Sequence, residues 1–155
     1  MPNRDHRSEL ETDPARSALM ARVRQRDTRP EQRVAKALRA LGHAYRRNVR
    51  SLPGSPDFAN RKRGWVVFVM GCFWHHHTNC TRATIPKRNK EFWVSKFRTN
   101  RLRDSIKIKF LRKREFKVFL IWECQTVSPN RLSERTMRIN SSLLERDRLC
   151  RRRSR

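Results

Sequence analysis

Apolar residues recur along this chain with two periods, and these periods predict its helices and strands. Between residues 17 and 26 the apolar positions are Leu19, Met20 and Val23, a spacing that predicts a short helix. Thr28 and Glu31 then have the spacing of a capping box, and apolar residues continue at helical spacing toward Gly42. We therefore expect a second helix that begins after Thr28 and ends just before Gly42, because glycine suits the left-handed backbone that follows a helix.

Four shorter segments have the apolar character of strands, at residues 44–49, 57–59, 65–70 and 116–122. A basic turn joins the second segment to the third. The third is apolar on both faces, so we expect it to be fully buried. Residues that bear chemistry lie at the ends of these strands, namely Asp57, the loop after Met70, and Cys124. A functional site is expected where these strand ends converge.

Two more helices complete the pattern. A long helix is predicted over residues 89–112, with an inner face near Phe92, Lys96, Phe97, Ile106 and Phe110. Ser128 and Pro129 suit the N-cap and first position of a last helix, whose apolar residues are Leu132, Met137, Leu143 and Leu144. Elements in this order predict an α/β or α+β fold, with a single sheet flanked by helices. We expect one domain over residues 16–147, a mobile N-terminal arm over 1–15 and a basic C-terminal tail over 148–155.

Charge narrows the choice of partner. The 155 residues include 39 Lys and Arg against 14 Asp and Glu, which gives a formal net charge of +25 and a pI of about 11.7. Such an excess favours a polyanionic partner, nucleic acid first and an anionic membrane surface second. No apolar run approaches the roughly 20 residues of a membrane span, and the N-terminus lacks a signal-peptide core. We therefore expect a cytoplasmic protein, in which clustered cysteines hold metal rather than form disulfides.

Residues 71–80, GCFWHHHTNC, bring thiols, imidazoles and large rings together. Cys72, His77 and Cys80, closed by the distant Cys124, would make the Cys₃His tetrahedron of a structural zinc site. The alternative is that Cys124 is a small buried hydrophobic residue and Cys72 a chance neighbour. Four ligands of suitable type would leave the site closed, which favours zinc.

Other polar side chains could carry chemistry, each with a plainer alternative. His75 follows an aromatic pair and could act as a general acid or base, whereas His76 is expected to be a solvated loop residue. Asp57 could be a hard-oxygen ligand for Mg²⁺, but on composition alone a turn or salt-bridge role is favoured. Glu31 is fully explained by the capping box.

Aromatic rings are interleaved with cations. Phe73 and Trp74 are consecutive, so both cannot enter one core, and Trp93 lies among lysines and arginines near the start of the long helix. Rings in such a setting can stack on bases or wedge between them. For Trp93, a role as a half-buried anchor of the helix is about equally favoured.

Four collinear blocks resemble a known family. They are SLPGSPD at 51–57, VFVMGCFWHHHTNC at 67–80, EFW at 91–93 and IWEC at 121–124. These blocks, within residues 16–126, resemble the very short patch repair (Vsr) mismatch endonucleases. The Gly-Cys-Phe-Trp-His block together with the later Trp-Glu-Cys makes the resemblance highly specific.

The resemblance implies a fold, an activity and a set of site residues. The fold would be restriction-endonuclease-like, a mixed β-sheet flanked by α-helices with a structural zinc site. The activity would be nicking of one DNA strand beside the thymine of a T:G mismatch left by deaminated 5-methylcytosine, which initiates very short patch repair. By position, the resemblance assigns Asp57 and the backbone carbonyl of Val69 to Mg²⁺, His75 to proton transfer and Glu31 to ordering the attacking water. It assigns structural Zn²⁺ to four ligands: Cys72, His77, Cys80 and Cys124. It assigns intercalation beside the mismatch to three rings: Phe73, Trp74 and Trp93.

The resemblance also implies partners, and it contains one departure. We expect double-stranded DNA with a T:G mismatch as the substrate, and mismatch-repair proteins and a repair DNA polymerase as further partners. We expect no membrane partner. The protein should be a monomer in the bacterial cytoplasm. Family members commonly have a histidine where this chain has Met70. Because a thioether cannot transfer a proton, we expect slower nicking.

Other hypotheses stay open on the sequence. The main alternative is a noncatalytic, zinc-stabilised binder of mismatched or distorted DNA, which Met70 makes plausible. A His-Asn-His-type nuclease with its catalytic metal at residues 75–77 is weaker, because it leaves Asp57 without a role. A basic RNA-binding protein is weaker still.

Overall fold

The computed structural model describes residues 26–153 together with Ala18 and Arg22. The predicted N-terminal arm and most of the predicted first helix lie outside these residues. The elements are α1 (Arg29–Ala40), β1 (Arg46–Arg47), β2 (Phe58–Asn60), β3 (Trp65–Met70), α2 (Lys90–Lys113), β4 (Lys117–Trp122), α3 (Glu123–Val127) and α4 (Pro129–Arg153). In the described part of the chain, no helix has the length and apolar character needed to cross a membrane.

Helix α1 begins and ends where its caps predict. The Thr28 hydroxyl accepts the Glu31 N–H at 3.4 Å, and the Glu31 carboxylate accepts the Asp27 N–H and the Thr28 hydroxyl proton, both at 2.8 Å. The helix ends shortly before Gly42, whose φ of +75° is a left-handed conformation that glycine adopts without strain. The caps therefore fix Glu31 in the first turn of α1.

The strands form one mixed sheet of four strands in the order β1-β2-β3-β4. β1, β2 and β3 pair antiparallel, whereas β3 and β4 pair parallel, with Met70 opposite Trp122 at their ends. The predicted mixed sheet flanked by helices is confirmed and is consistent with a restriction-endonuclease-like fold. Because β3 and β4 run in the same direction, the loops that follow them meet at one edge of the sheet.

Helices cover both faces of the sheet. The face under α1 and α4 packs Val34, Leu38, Phe58, Trp65, Val67, Ile121, Leu132, Ile139 and Leu143. The opposite face packs Val66 with Leu52, Ala59 and Leu111, the last of these from α2. Successive residues of a strand point to opposite faces, so β3 is covered on both sides as its apolar run predicts. Only Phe68 and Val69 of this strand are partly exposed.

The prediction of which α2 residues face inward is largely wrong. Phe92, Ile106 and Phe110 are 38%, 61% and 44% exposed, and Lys96 is exposed as well. Of the predicted set only Phe97 is buried, together with Leu111 further along. The reason is that the middle of the inward face carries polar residues that line a cleft, so the apolar residues there are turned outward.

Only half of the apolar residues named for the last helix are buried in α4. Leu132 and Leu143 are buried, whereas Met137 and Leu144 are 48% and 47% exposed. Thr136 and Ile139 take their places, since positions 132, 136, 139 and 143 form one helical stripe. Thr136 is tolerated there because its hydroxyl donates to the Leu132 carbonyl at 2.9 Å. The helix continues through part of the predicted basic tail to Arg153.

A buried histidine makes stability depend on pH. His43 is 6% exposed, and its ring packs edge-on against Trp65 with 5.9 Å between centroids. Burial lowers the pKa of His43 below its usual 6.5, and the nearby Arg63 adds to this effect. The unfolded chain therefore takes up a proton at His43 as the pH falls below about 6.5, while the folded chain still excludes it. Acid should destabilise the fold through this residue.

In His43→Leu, this part of the acid sensitivity is expected to disappear. Chemical denaturation at a series of pH values measures the free energy of unfolding of both proteins. Below about pH 6.5 the slope against pH should be smaller in the variant by up to about 1.4 kcal/mol per pH unit, the value for one proton. Other titrating groups are common to both proteins and cancel, so equal slopes would contradict the assignment to His43.

Candidate active site and metal centre

The strand ends meet the first turn of α1 and the middle of α2 around one cleft. Its volume is about 650 Å³, and its lining includes Thr28, Glu31, Asp57, Val69, Trp74, His75, Asn100, Arg103, Asp104, Lys107 and Glu123. Asp57 immediately precedes β2, Val69 lies near the end of β3, and Glu123 follows β4. The structure therefore brings together Asp57, Glu31, Val69 and His75, which the sequence places far apart.

Asp57 is held by the backbone of β3. Its carboxylate accepts the Val69 N–H at 2.6 Å, and no ion pair among the described residues includes it. Burial raises the pKa of Asp57 to about 6, and the Glu31 carboxylate acts in the same direction, although the Val69 hydrogen bond opposes them. A partly buried carboxylate that forms no ion pair, beside a second carboxylate, is a donor set that suits a hard divalent cation.

His75 is oriented by a residue that the sequence analysis missed. The Asp104 carboxylate lies 2.5 Å from His75 Nδ1, and both side chains are about one fifth exposed, at 22% and 23%. A carboxylate at Nδ1 fixes the ring and leaves Nε2 for proton transfer. One signal could have found this partner, since Asp104 is the only acidic residue between Glu91 and Glu115 in a strongly basic stretch.

A separate cluster of Cys72, His77, Cys80 and Cys124 could hold a metal ion. One ligand atom from each of the four residues lies within 4.8 Å of all the others. His77 Nδ1 is 3.7 Å from the Cys72 sulfur and 3.5 Å from that of Cys124. In a tetrahedral zinc site with usual bond lengths the sulfur–nitrogen edge is about 3.6 Å, so the cluster has suitable dimensions.

The strand ends and their neighbours build this cluster. Cys72 follows β3, and its N–H donates to the Glu123 carboxylate at 3.2 Å; the Cys124 N–H donates to the Cys72 sulfur at 3.4 Å. The His77 ring stacks on Trp122 with 3.9 Å between centroids and 8° between planes. Burial lowers the pKa of His77 and raises that of Cys72 to about 12. The neutral imidazole suits metal binding, whereas the buried Cys72 thiol needs a cation to become a thiolate.

The predicted aromatic residues form one cluster beside the cleft. The Phe73 ring lies 5.2 Å from both the Trp74 and the Trp93 rings and 5.4 Å from the Phe97 ring. All but Phe97 are partly exposed. Asn100 of α2 fixes the loop by donating to the Trp74 carbonyl at 2.9 Å. The cluster therefore presents half-buried rings from the loop and from α2.

His76 and Met70 are both at least partly buried. His76 was expected to be solvated, but it is only partly exposed and its ring stacks on Phe97 with 5.1 Å between centroids. Met70 is 7% exposed and lines a cavity of about 250 Å³ with Asp57, Val69 and His75. The thioether therefore lies beside the residues assigned to catalysis.

Known proteins similar to this chain are nucleases that act on DNA. The family model described as DNA mismatch endonuclease Vsr matches residues 8–82. The chain is 38% identical to the type II nicking enzyme V.XorIIP of Xanthomonas oryzae over 71% of this chain and 80% of that protein. It is 36% identical to the type II nicking enzyme V.NmeAIP of Neisseria meningitidis over 85% and 94% of the two chains.

A third relative carries the same name as the family model. The chain is 37% identical to the DNA mismatch endonuclease Vsr of Escherichia coli, over 79% of this chain and 78% of that one. These likenesses confirm the predicted resemblance and do not favour the noncatalytic alternative. The chain belongs to the Vsr family of DNA mismatch endonucleases.

Proposed function

We propose that this endonuclease nicks one strand of duplex DNA beside the thymine of a T:G mismatch and so initiates very short patch repair of deaminated 5-methylcytosine. The observation that carries the proposal is the convergence of Asp57, Glu31 and the His75–Asp104 pair on one cleft. A partly buried carboxylate beside an oriented imidazole supplies both a metal ligand and a proton-transfer group. The half-buried rings next to the cleft supply a surface on which bases can stack.

Within the cleft the residues take separate roles. Asp57 and the backbone carbonyl of Val69 would hold Mg²⁺, whose chemistry when bound is activation of water and stabilisation of charge on the phosphate. Glu31 would orient the attacking water, since each of its oxygens already accepts one hydrogen bond and keeps a free lone pair. His75 would transfer a proton at Nε2, with Asp104 holding the ring by Nδ1.

The two remaining clusters would support binding rather than chemistry. Zn²⁺ at Cys72, His77, Cys80 and Cys124 would tie the loop after β3 to the end of β4. Phe73, Trp74 and Trp93 would insert beside the mismatch, where a mispaired base costs less to unstack than a paired one. The loop that Zn²⁺ holds is the one that carries Phe73, Trp74 and His75, so both clusters serve the same segment.

The substrate is tested by mapping cleavage on a panel of duplexes. Each duplex has the same sequence except for one central pair, which is T:G, another mismatch or a Watson–Crick pair, with a different label on each strand. We expect one product, cut beside the mismatched thymine, and little cleavage of the fully paired control. Equal cleavage of all duplexes would contradict mismatch selectivity, and cleavage of both strands would contradict nicking.

His75→Ala is expected to slow single-turnover nicking by about 10²–10⁴-fold, the usual contribution of an acid–base group. Asp104→Asn should cost less, roughly 10–100-fold, because the imidazole remains but its orientation is no longer fixed. His76→Ala is the matched control, since this neighbour stacks on Phe97 and does not line the cleft. A similar loss in all three variants would point to damage of the loop rather than to catalysis by His75.

The proposal extends to the domain, the oligomeric state and the partners of the protein. We expect the described elements to act as a single endonuclease domain over residues 16–147, as a monomer in the bacterial cytoplasm. Mismatch-repair proteins and a repair DNA polymerase are the expected partners, since a nick alone repairs nothing.

A further inference from the structure

The cleft carries negative charge that none of the proposed residue roles neutralises. Carboxylates of Glu31, Asp57, Asp104 and Glu123 line it, and the substrate brings a negatively charged phosphodiester. His75 pairs with Asp104, and Arg82 pairs with Glu123 at 3.2 Å, but no ion pair of the described residues includes Glu31 or Asp57. A phosphate entering this cleft therefore needs positive charge from the protein as well as from a metal ion.

Two cationic side chains line the cleft, Arg103 and Lys107, and Lys107 is the more buried of the two. Asn100, Asp104 and Lys107 lie on one face of α2, at a spacing of four and three residues, and all three line the cleft. Asn100 donates to the Trp74 carbonyl and Asp104 holds His75, so two of the three positions fix the loop. Lys107, partly buried, has neither a hydrogen bond nor an ion pair within the described part of the chain.

The turn before β2 shapes the path of this lysine. A Cβ on Gly54 would lie 3.1 Å from Lys107 Cδ and 3.2 Å from the Phe68 ring. Gly54 also has a φ of +80°, which side chains rarely adopt. The absence of a side chain at Gly54 therefore leaves room for the aliphatic part of Lys107 to pass between the turn and α2.

We propose that Lys107 is a further catalytic residue, whose ammonium group contacts a nonbridging oxygen of the scissile phosphate. This inference rests on the proposed strand-nicking function. In the hydrolysis, the water gives one proton to His75 Nε2 while its oxygen bonds to phosphorus. The bond from phosphorus to one bridging oxygen breaks, and the leaving oxygen takes up a proton from solvent water. The ammonium group of Lys107 stabilises the negative charge that builds on the nonbridging oxygens.

The test compares Lys107→Gln and Lys107→Arg with wild type in single-turnover nicking of a T:G duplex with Mg²⁺. Lys107→Gln should lower the rate about 100-fold, as loss of one preorganised donor does, while Lys107→Arg stays within about 10-fold of wild type. Lys109→Gln is the matched control, because it removes the same charge from an exposed position of α2 that does not line the cleft. Its rate at saturating enzyme should equal that of wild type.

A second readout separates catalysis from binding and folding. Fluorescence anisotropy with Ca²⁺ in place of Mg²⁺ should give similar duplex affinities for Lys107→Gln and Lys109→Gln. Rates for Lys107→Gln within about threefold of wild type would overturn the inference, as would equal losses in the glutamine and arginine variants. If wild type nicks the duplex and either of these two contradicting results is found, only the proposed role of Lys107 is wrong. If wild type nicks no mismatched duplex, the proposed function fails with it.

Discussion

Replacing Asp57 with asparagine is expected to abolish nicking while the fold and DNA binding persist. The carboxylate is partly buried, accepts the Val69 N–H and has a pKa raised to about 6, so it lies in a site whose negative charge is costly unless a cation is bound. An amide keeps the shape but binds Mg²⁺ poorly. We expect a loss of at least about 10³-fold in the single-turnover rate, because activation of water and charge stabilisation depend on the same ligand.

DNA binding by Asp57→Asn should not fall with the nicking rate. Removing a negative charge from a cleft that receives a phosphate should leave affinity for a T:G duplex unchanged or raise it. Asp147→Asn is the matched control, since this carboxylate pairs with Arg63 away from the cleft. Nicking by Asp57→Asn within about 10-fold of wild type would exclude Asp57 as the metal ligand. It would revive a catalytic metal at residues 75–77.

Replacing Cys124 with alanine is expected to release the bound metal and lower the melting temperature on the order of 10 °C. Cys124 directly follows the end of β4, so loss of this ligand would remove the metal-mediated tie between that end of the sheet and the loop after β3. The purified protein should contain one Zn²⁺ per chain, measured by a colorimetric chelator after thiol modification. Nicking should fall as well, since Phe73, Trp74 and His75 lie on the same loop.

The fourth cysteine of the sequence gives the control. Cys150→Ala should keep both its zinc and its melting temperature, because Cys72, His77, Cys80 and Cys124 already supply the four ligands of a tetrahedral site. Adding a chelator to wild type should reproduce the behaviour of Cys124→Ala. Full zinc content in Cys124→Ala would show that the metal does not use this ligand.

Local signals in the sequence predicted the parts of the fold that local chemistry determines. Helix α1 is bounded by the Thr28 cap and by Gly42, and β3 has the predicted bounds because its run of apolar residues is unbroken. The four members of the metal cluster were predicted because thiols and imidazoles at short spacings have few other uses. These features depend on neighbours in sequence or on rare residue types.

The predictions that were wrong or missing concern side chains whose burial and contacts depend on packing between distant parts of the chain. The inward face of α2 could not be read from its apolar residues, because that face is polar where it lines the cleft with Asn100, Asp104 and Lys107. The partner of His75 was missed for the same reason, since Asp104 lies 29 positions away on another element. Likewise, the stacking of His76 on Phe97 depends on how the loop packs on α2. No periodicity in the sequence reports such contacts.

The proposed function is tested most directly by a strand-resolved nicking assay on one T:G duplex, with both strands labelled and wild type compared with Asp57→Asn. We expect a single product from the thymine-containing strand, formed by wild type with Mg²⁺, lost when the ion is chelated and restored when it is added back. Asp57→Asn should bind the duplex and leave both strands intact. Binding by wild type without any cleavage at high enzyme concentration would contradict the proposed function.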